Sequence, residues 1–286
     1  MNIITPEGAP AIRRVIVALN APLGNLERMQ RSVDIALRLK AEMRGLFIED
    51  INLLRLAALP LAHEIAFGAG GRRPLDTPGM ERMLRSQAQA ARKKLSAIAS
   101  RHKIPWSFQV RRGHVTQEVL SSATGGDLLI LDRVEESLVA GSATGSAMWN
   151  ILRKSSCTVL LQHGGGHRAA APMLYLDDPA VSGRALRLAA QYFHAKDQPL
   201  AIILPPLEEA EALRARQRIE SQMRALDIPY QVYSLPDASS GSLMKLLLQL
   251  RGGFFISGTQ ALETHGERLL PYLERVKCDC LVVRSE

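Results

Sequence analysis

Leu129-Ile130-Leu131-Asp132, Gly145, Cys157 and Val159-Leu160-Leu161 make a series of landmarks that the chain uses twice. The second series is Phe255-Ile256-Ser257-Gly258, Gly266, Cys278 and Leu281-Val282-Val283. In both, the glycine stands 12 residues before the cysteine. Upstream, Lys103-Ile104-Pro105-Trp106 matches Asp227-Ile228-Pro229-Tyr230, and Ala18-Leu19-Asn20 matches Tyr175-Leu176-Asp177. Four anchors in one order mark a tandem duplication, and a repeat decides the fold before any single element does.

Around these anchors each half alternates aliphatic runs of strand length with stretches of helical period. In the first half the runs are Val15–Leu19, Gly45–Ile48, Trp106–Val110, Leu128–Leu131 and Thr158–Gln162, separated by helical stretches at 32–40, 80–102, 115–124 and 145–153. In the second they are Met173–Leu176, Leu200–Leu204, Tyr230–Leu235, Phe254–Ile256 and Cys280–Arg284, with helical stretches at 184–195, 207–226, 243–250 and 267–276. Strands that read as near-continuous aliphatic runs are covered on both faces. The expected fold is therefore α/β: two doubly wound, mainly parallel five-stranded sheets with helices on both faces.

Residues 1–163 form the expected first domain and 173–286 the second. Between them, 164–172 is a linker with Gly164-Gly165-Gly166 and Ala169-Ala170-Ala171-Pro172. Asn20 to Pro105 spans 85 residues and Asp177 to Pro229 only 52, so the first half carries about thirty extra residues, placed at 52–79. Leu53, Leu54, Leu56, Leu59 and Leu61 crowd that insert; burying each is worth ~1.5–3 kcal/mol. They predict a helix packed on the first domain or on a partner chain, serving as a lid, an interface or a surface cover.

Composition narrows the class. At 286 residues the chain is long enough for two domains, and 47% hydrophobic residues suffice for a core. No run approaches the ~18 apolar residues of a membrane helix. Met1–Gly8 lacks the basic head and apolar stretch of a secretory leader. Three cysteines provide no disulfide framework. The expectation is a soluble protein of a reducing compartment. Residues 1–163 hold 22 Lys+Arg against 14 Asp+Glu, while 164–286 hold 14 against 14, so the whole +8 excess lies in the first half. Such asymmetry marks either an anion-handling face or solvated helix surfaces.

Ligands of doubly wound folds bind beyond the carboxyl ends of the strands. In the first half that edge holds Asn20, Ile48-Glu49-Asp50, Asp132-Arg133 and the loop Gly141-Ser142-Ala143-Thr144-Gly145-Ser146. Glycines and hydroxyls opening a helix make an anion cradle, though Ser and Gly are also ordinary capping residues.

The chain resembles a tandem universal stress protein over nearly its whole length. The carrying residues are Val15-Ile16-Val17-Ala18-Leu19-Asn20, Met43-Arg44-Gly45-Leu46-Phe47-Ile48-Glu49-Asp50 and, most specifically, Gly145-Ser146-Ala147-Met148-Trp149-Asn150-Ile151-Leu152-Arg153-Lys154-Ser155-Ser156-Cys157-Thr158-Val159-Leu160. The resemblance implies a cytoplasmic stress-response role. It also implies that the last strands of the two halves pair, giving an internal pseudo-dimer; left open, such edges invite aggregation. Some members of that family bind ATP through an Asp after the first strand, a backbone contact after the second, and a G-x-x-G-x9-G-[S/T] loop. Here Asn20 stands where the Asp belongs, Asp132 and Glu135 replace the first two glycines, and Gly145-Ser146 is intact. The implied nucleotide or anion site is Asn20, Ile48, Arg133, Gly141, Ser142, Gly145 and Ser146. A vestigial second site comprises Asp177, Gly258 and Gly266, with a loop of only eight residues and Glu267 in place of the hydroxyl residue. Neither set is complete, so no cofactor is expected beyond weakly held ATP or a related adenine nucleotide.

Other chemistry is set aside. His163 and His167 lie in the glycine linker without acidic or thiol partners, so no metal site is expected. Cys278-Asp279-Cys280 and Cys157 read as strand packing. The chain has neither a G-x-x-x-x-G-K-[S/T] loop nor a G-x-S-x-G elbow. Asp177-Asp178 reads as a helix cap. Three functions remain: a non-catalytic stress-response module with degenerate nucleotide sites, an adenine-nucleotide sensor using Gly145-Ser146, and a nucleic-acid-associated protein using the basic first half. The last is weakest, because no nucleic-acid motif is present and aromatics are 5%. Expected partners are the other half of the chain, a second copy and a protein client, with no membrane.

Overall fold

The computed structural model describes residues 12–19, 26–60, 62–65, 72–132, 143–162, 172–193, 199–251, 253–276 and 278–284. The first half runs β1 (Arg14–Leu19), α1 (Leu26–Leu39), β2 (Glu42–Asp50), α2 (Ile51–Ala57), β3 (His63–Ile65), β4 (Arg72–Pro74), α3 (Thr77–Arg101), β5 (Trp106–Gly113), α4 (Val115–Ser122), β6 (Asp127–Asp132), α5 (Ala143–Lys154) and β7 (Thr158–Gln162). The second runs β8 (Pro172–Tyr175), α6 (Pro179–Phe193), β9 (Leu200–Leu204), α7 (Glu209–Leu226), β10 (Tyr230–Ser234), α8 (Ser240–Leu250), β11 (Phe254–Ser257), α9 (Thr259–Arg275) and β12 (Asp279–Val282). The alternation read from the aliphatic runs is the alternation observed.

The expectation of two five-stranded sheets needs correcting. Apart from β3 and β4, which pair with each other, the strands form one ten-stranded sheet in the order β10-β9-β8-β11-β12-β7-β6-β1-β2-β5. Within each half neighbouring strands are parallel. The halves meet at β7 and β12, which pair antiparallel with Leu160 opposite Leu281 and Val159 opposite Val282. β7 is buried throughout and β12 from Cys280 onward, with apolar side chains on both faces, so neither can stand as a sheet edge without exposing apolar surface and unpaired amides. Pairing them removes both edges at once. Each core then runs across the seam. One face buries Val15, Val17, Val33 and Leu95 together with Leu174, Ala185, Ile202 and Ile219; the other joins Ile16, Leu129 and Leu152 to Phe255, Leu269 and Cys280.

Two polar contacts and one close approach tie the halves further. Arg31 of α1 reaches Asp279 of β12 at 3.6 Å, with both side chains largely buried. Arg284 donates to the Leu152 carbonyl at the end of α5. Gly266 of α9 lies so close to the Trp149 ring of α5 that an added Cβ would come within 2.0 Å of it.

The insert follows β2 directly. Asp50 caps α2 by accepting from the Asn52 amide at 2.8 Å, and α2 packs on the long helix α3. Ala57 is buried and Leu53 and Leu54 lean on the core, whereas Leu56 and Leu59 stay exposed. The expected helix is thus present but short, followed by the β3–β4 hairpin. Among the described residues no helix is long and apolar enough to cross a membrane.

Candidate functional site

The strand directions fix where the carboxyl-end sites fall. Strands are parallel within each half but antiparallel across β7 and β12, so the two ligand edges face opposite ends of the sheet. No single ligand spans both.

At the first edge, Ile48 lies in β2 in register with Arg111 of β5; its side chain is 4% exposed and belongs to the core, leaving only its backbone for contact. Gly145 and Ser146 fall in the first turn of α5. Asn20, Arg133, Gly141 and Ser142 lie outside the described residues, as do Glu135, His163 and His167. Beside this edge sits an ion cluster that pattern reading missed. Arg112 of β5 donates to Glu49 of β2 at 2.8 Å and to Glu81 of α3 at 3.0 Å. Both carboxylates hold its guanidinium above the usual range. The cluster pins the helix after the insert to the end of the sheet; three charges some thirty residues apart carry no spacing signal. Arg111 likewise meets Glu118 of α4 at 3.3 Å.

At the second edge, Asp177 and Gly258 come together. An added Cβ at Gly258 would stand 2.7 Å from the Val181 side chain and 3.7 Å from Asp177 Oδ1, so glycine is what lets the end of β11 close on the start of α6. Both Asp177 oxygens are shielded from solvent and accept no hydrogen bond among the described residues. That burial, aided by the charge of Asp178, lifts the carboxyl to about 7; the nearby amides of Asp177 and Asp178, which do not reach hydrogen-bond geometry, offset only part of the rise. The two acids therefore differ from a simple cap: Asp178 opens α6 through its carbonyl, which accepts from Ser182, while Asp177 is buried beside it.

Beneath Asp177 lies a polar floor. Tyr175 is in register with Ser257, on the face covered by α8 and α9. Burial, and secondarily Asp177, pushes the Tyr175 phenol up to about 12. The His265 ring tilts against Tyr175 with centroids 5.9 Å apart, and its Nδ1 meets Ser240 Oγ at 3.0 Å. Burial lowers its pKa, so the imidazole is neutral near pH 7. Ser257 Oγ is buried with no partner among the described residues. In the sequence Tyr175 and Ser257 stand out only as repeat landmarks, and Ser240 and His265 not at all; none reads as a site residue. The signal for His265 was the spacing of Leu262, His265 and Leu269, which puts the imidazole on the inward stripe of α9. Such an arrangement accepts and donates hydrogen bonds to a small polar group.

Gly266 does not join this site. Helix α9 starts at Thr259, so the residues between Gly258 and Gly266 are helical, not a loop. Gly266 is a packing glycine, held by Trp149. Among the described residues no three His, Cys, Asp or Glu side chains are grouped to hold a metal ion. The three thiols are free and buried.

No protein-family profile matches the chain, and no curated protein matches it either. Solved structures do. A universal stress protein from Archaeoglobus fulgidus superposes with a TM-score of 0.63 at 13% identity, covering 94% of this chain and 96% of that one. A Pseudomonas aeruginosa protein assigned as a universal stress protein gives 0.57 at 16% identity, covering 96% and 94%. The cytoplasmic domain of a prokaryotic cation chloride cotransporter gives 0.51 at 13% identity, covering 96% of each chain. At these identities the likeness is one of fold, and the fold is that of universal stress proteins.

Proposed function

We propose that this chain is a non-catalytic, cytoplasmic protein of the universal-stress type, built as two fused domains that dock as an internal pseudo-dimer and whose nucleotide sites are degenerate. The observation that carries this reading is the start of α9 at Thr259, immediately after Gly258. A phosphate loop needs open backbone with amides turned toward the ligand. Here the segment is committed to a helix whose Gly266 is occupied by Trp149. In the first half Asp132 ends β6 where a loop glycine would be needed. Two like charges ~6 Å apart at an effective dielectric of ~20 repel by roughly 3 kcal/mol, so acidic residues at such a loop disfavour a triphosphate.

The duplicated strand order supports the fused-domain reading. Counted within each half, both read fifth-fourth-first-second-third from the seam outward. The internal seam takes the place that pairing with a second copy would otherwise fill.

Calorimetry with ATP and magnesium tests the proposal. The expected result is no binding tighter than about 100 μM, equivalent to ~5.5 kcal/mol. A one-site isotherm in the low micromolar range refutes it in favour of a nucleotide sensor acting through Gly145 and Ser146.

A further inference from the structure

Strand β5 is one outer edge of the ten-stranded sheet, and it lacks the usual defences of an edge. It is eight residues long, holds no proline, and keeps unbroken register with β2 from Trp106 to Gly113. None of its residues is fully buried. Its two arginines are neutralised from within the chain, Arg111 by Glu118 and Arg112 by Glu49 and Glu81. The opposite edge, β10, is only five residues long.

The ladder fixes which amides face outward. The Met43 amide donates to the Pro105 carbonyl at 2.9 Å, and Met43 is in register with Trp106. In a parallel pair alternate residues bond to the neighbour, so Trp106, Phe108, Val110 and Arg112 turn their own N–H and C=O groups away from β2. None of these four bonds to another backbone group on that side among the described residues. Their side chains form one row: Trp106 and Phe108 lean half-buried on the core, and Val110 is 47% exposed.

This row is complementary to itself. Laid antiparallel against a second copy about a twofold axis at Gln109, Trp106 stands opposite Arg112 and Phe108 opposite Val110, and every outward amide and carbonyl finds a partner. A guanidinium then meets an aromatic ring, apolar side chains meet each other, and no like charges are opposed. A slip of two residues either way carries Trp106 or Arg112 beyond the end of the other strand. A patch that pairs with itself closes as a dimer and goes no further.

We propose that two copies of this chain join β5 to β5, antiparallel about Gln109, making one continuous sheet across the dimer. The contact lies at the outer end of the sheet, away from the β7–β12 seam, and it is independent of nucleotide binding.

Size-exclusion chromatography with light scattering of the full chain tests it. The expected result is a species of twice the 31.4 kDa of one chain, dissociating in the micromolar range. Val110→Pro spares the β2 ladder, because the Val110 amide faces away from it, but removes two bonds across the twofold axis. It should weaken association by about tenfold or more. Val110→Lys leaves the backbone intact and should weaken it too, by placing a charge on the edge. A wild-type circular dichroism spectrum checks that each variant folds. Independently, Gln109→Cys should form an interchain disulfide on oxidation, since residue 109 stands opposite its own copy, whereas Ser107→Cys should not; the native thiols are buried. The proposal is overturned by a monomer at hundreds of micromolar, by polymers, which mean β5–β10 pairing, by unchanged association in folded Val110 variants, or by Ser107→Cys crosslinking as readily as Gln109→Cys.

Discussion

Replacing Asp177 with asparagine should make the protein more stable by an amount that grows from about pH 4 and is largest at neutral to alkaline pH. The wild-type carboxyl has neither oxygen hydrogen-bonded among the described residues, and its pKa rises from 3.8 to about 7. A carboxyl with a raised folded-state pKa keeps its proton in the native chain at pH values where the unfolded chain has lost it. Between about pH 4 and pH 7 the native state therefore binds more protons, and stability falls as pH rises through that window. A shift of about three units at 1.36 kcal/mol each sets a ceiling of ~4 kcal/mol, reached above pH 7. Asparagine has nearly the same shape and no charge to desolvate. Urea denaturation of wild type and Asp177→Asn in parallel, from about pH 4.5 to about pH 8, isolates this group because every other titration cancels. The variant should lie within about 1 kcal/mol of wild type at the acid end and exceed it by roughly 2–4 kcal/mol at about pH 8. Parallel pH curves, or a variant destabilised at about pH 8, would refute the reasoning and mean that a partner satisfies the carboxylate.

Gly266→Ala should destabilise the chain by about 1–2 kcal/mol, overpacking against Trp149 outweighing the helix propensity gained, and the loss should shrink in a Trp149→Ala background; urea melts of the double-mutant cycle measure it. Lys103→Gly should stabilise by roughly 0.5–1 kcal/mol, since φ is 55° there, and an unchanged or lowered denaturation midpoint counts against it. Residues 1–163 and 172–286 expressed apart should associate at micromolar concentration or aggregate through the open β7 and β12 edges; two soluble, monomeric, non-interacting halves on size-exclusion chromatography would be the contrary result.

What was legible in the sequence follows from how local the cause was. Val15–Leu19, Leu128–Leu131 and Phe254–Ile256 read as buried strands because continuous aliphatic runs suit a sheet covered on both faces, and they are central strands. The matching positions of Cys157 and Cys278 read as packing, and both are fully buried just before β7 and β12. The pairing of the two last strands came only from the resemblance and is not written in either half, because the seam register of Leu160 against Leu281 depends on two segments more than a hundred residues apart. Gly266 misled for a physical reason: a glycine admits close approach as well as open loops, and only the Trp149 ring decides between them. Asp177 was recognised by position, but its isolation from hydrogen-bond partners comes from the closing of Gly258 on Val181, a tertiary contact. The Arg112 cluster and the Ser240–His265 contact join residues from separate elements and left no periodic trace.

Mass spectrometry of the freshly purified protein, native for the intact chain and denaturing for extracted small molecules, tests the central claim most directly. With the second half's loop replaced by the start of α9 and acidic residues in the first half's loop, the chain should emerge free of adenine nucleotide. Stoichiometric ATP or ADP carried through purification would contradict the claim that its nucleotide sites are degenerate.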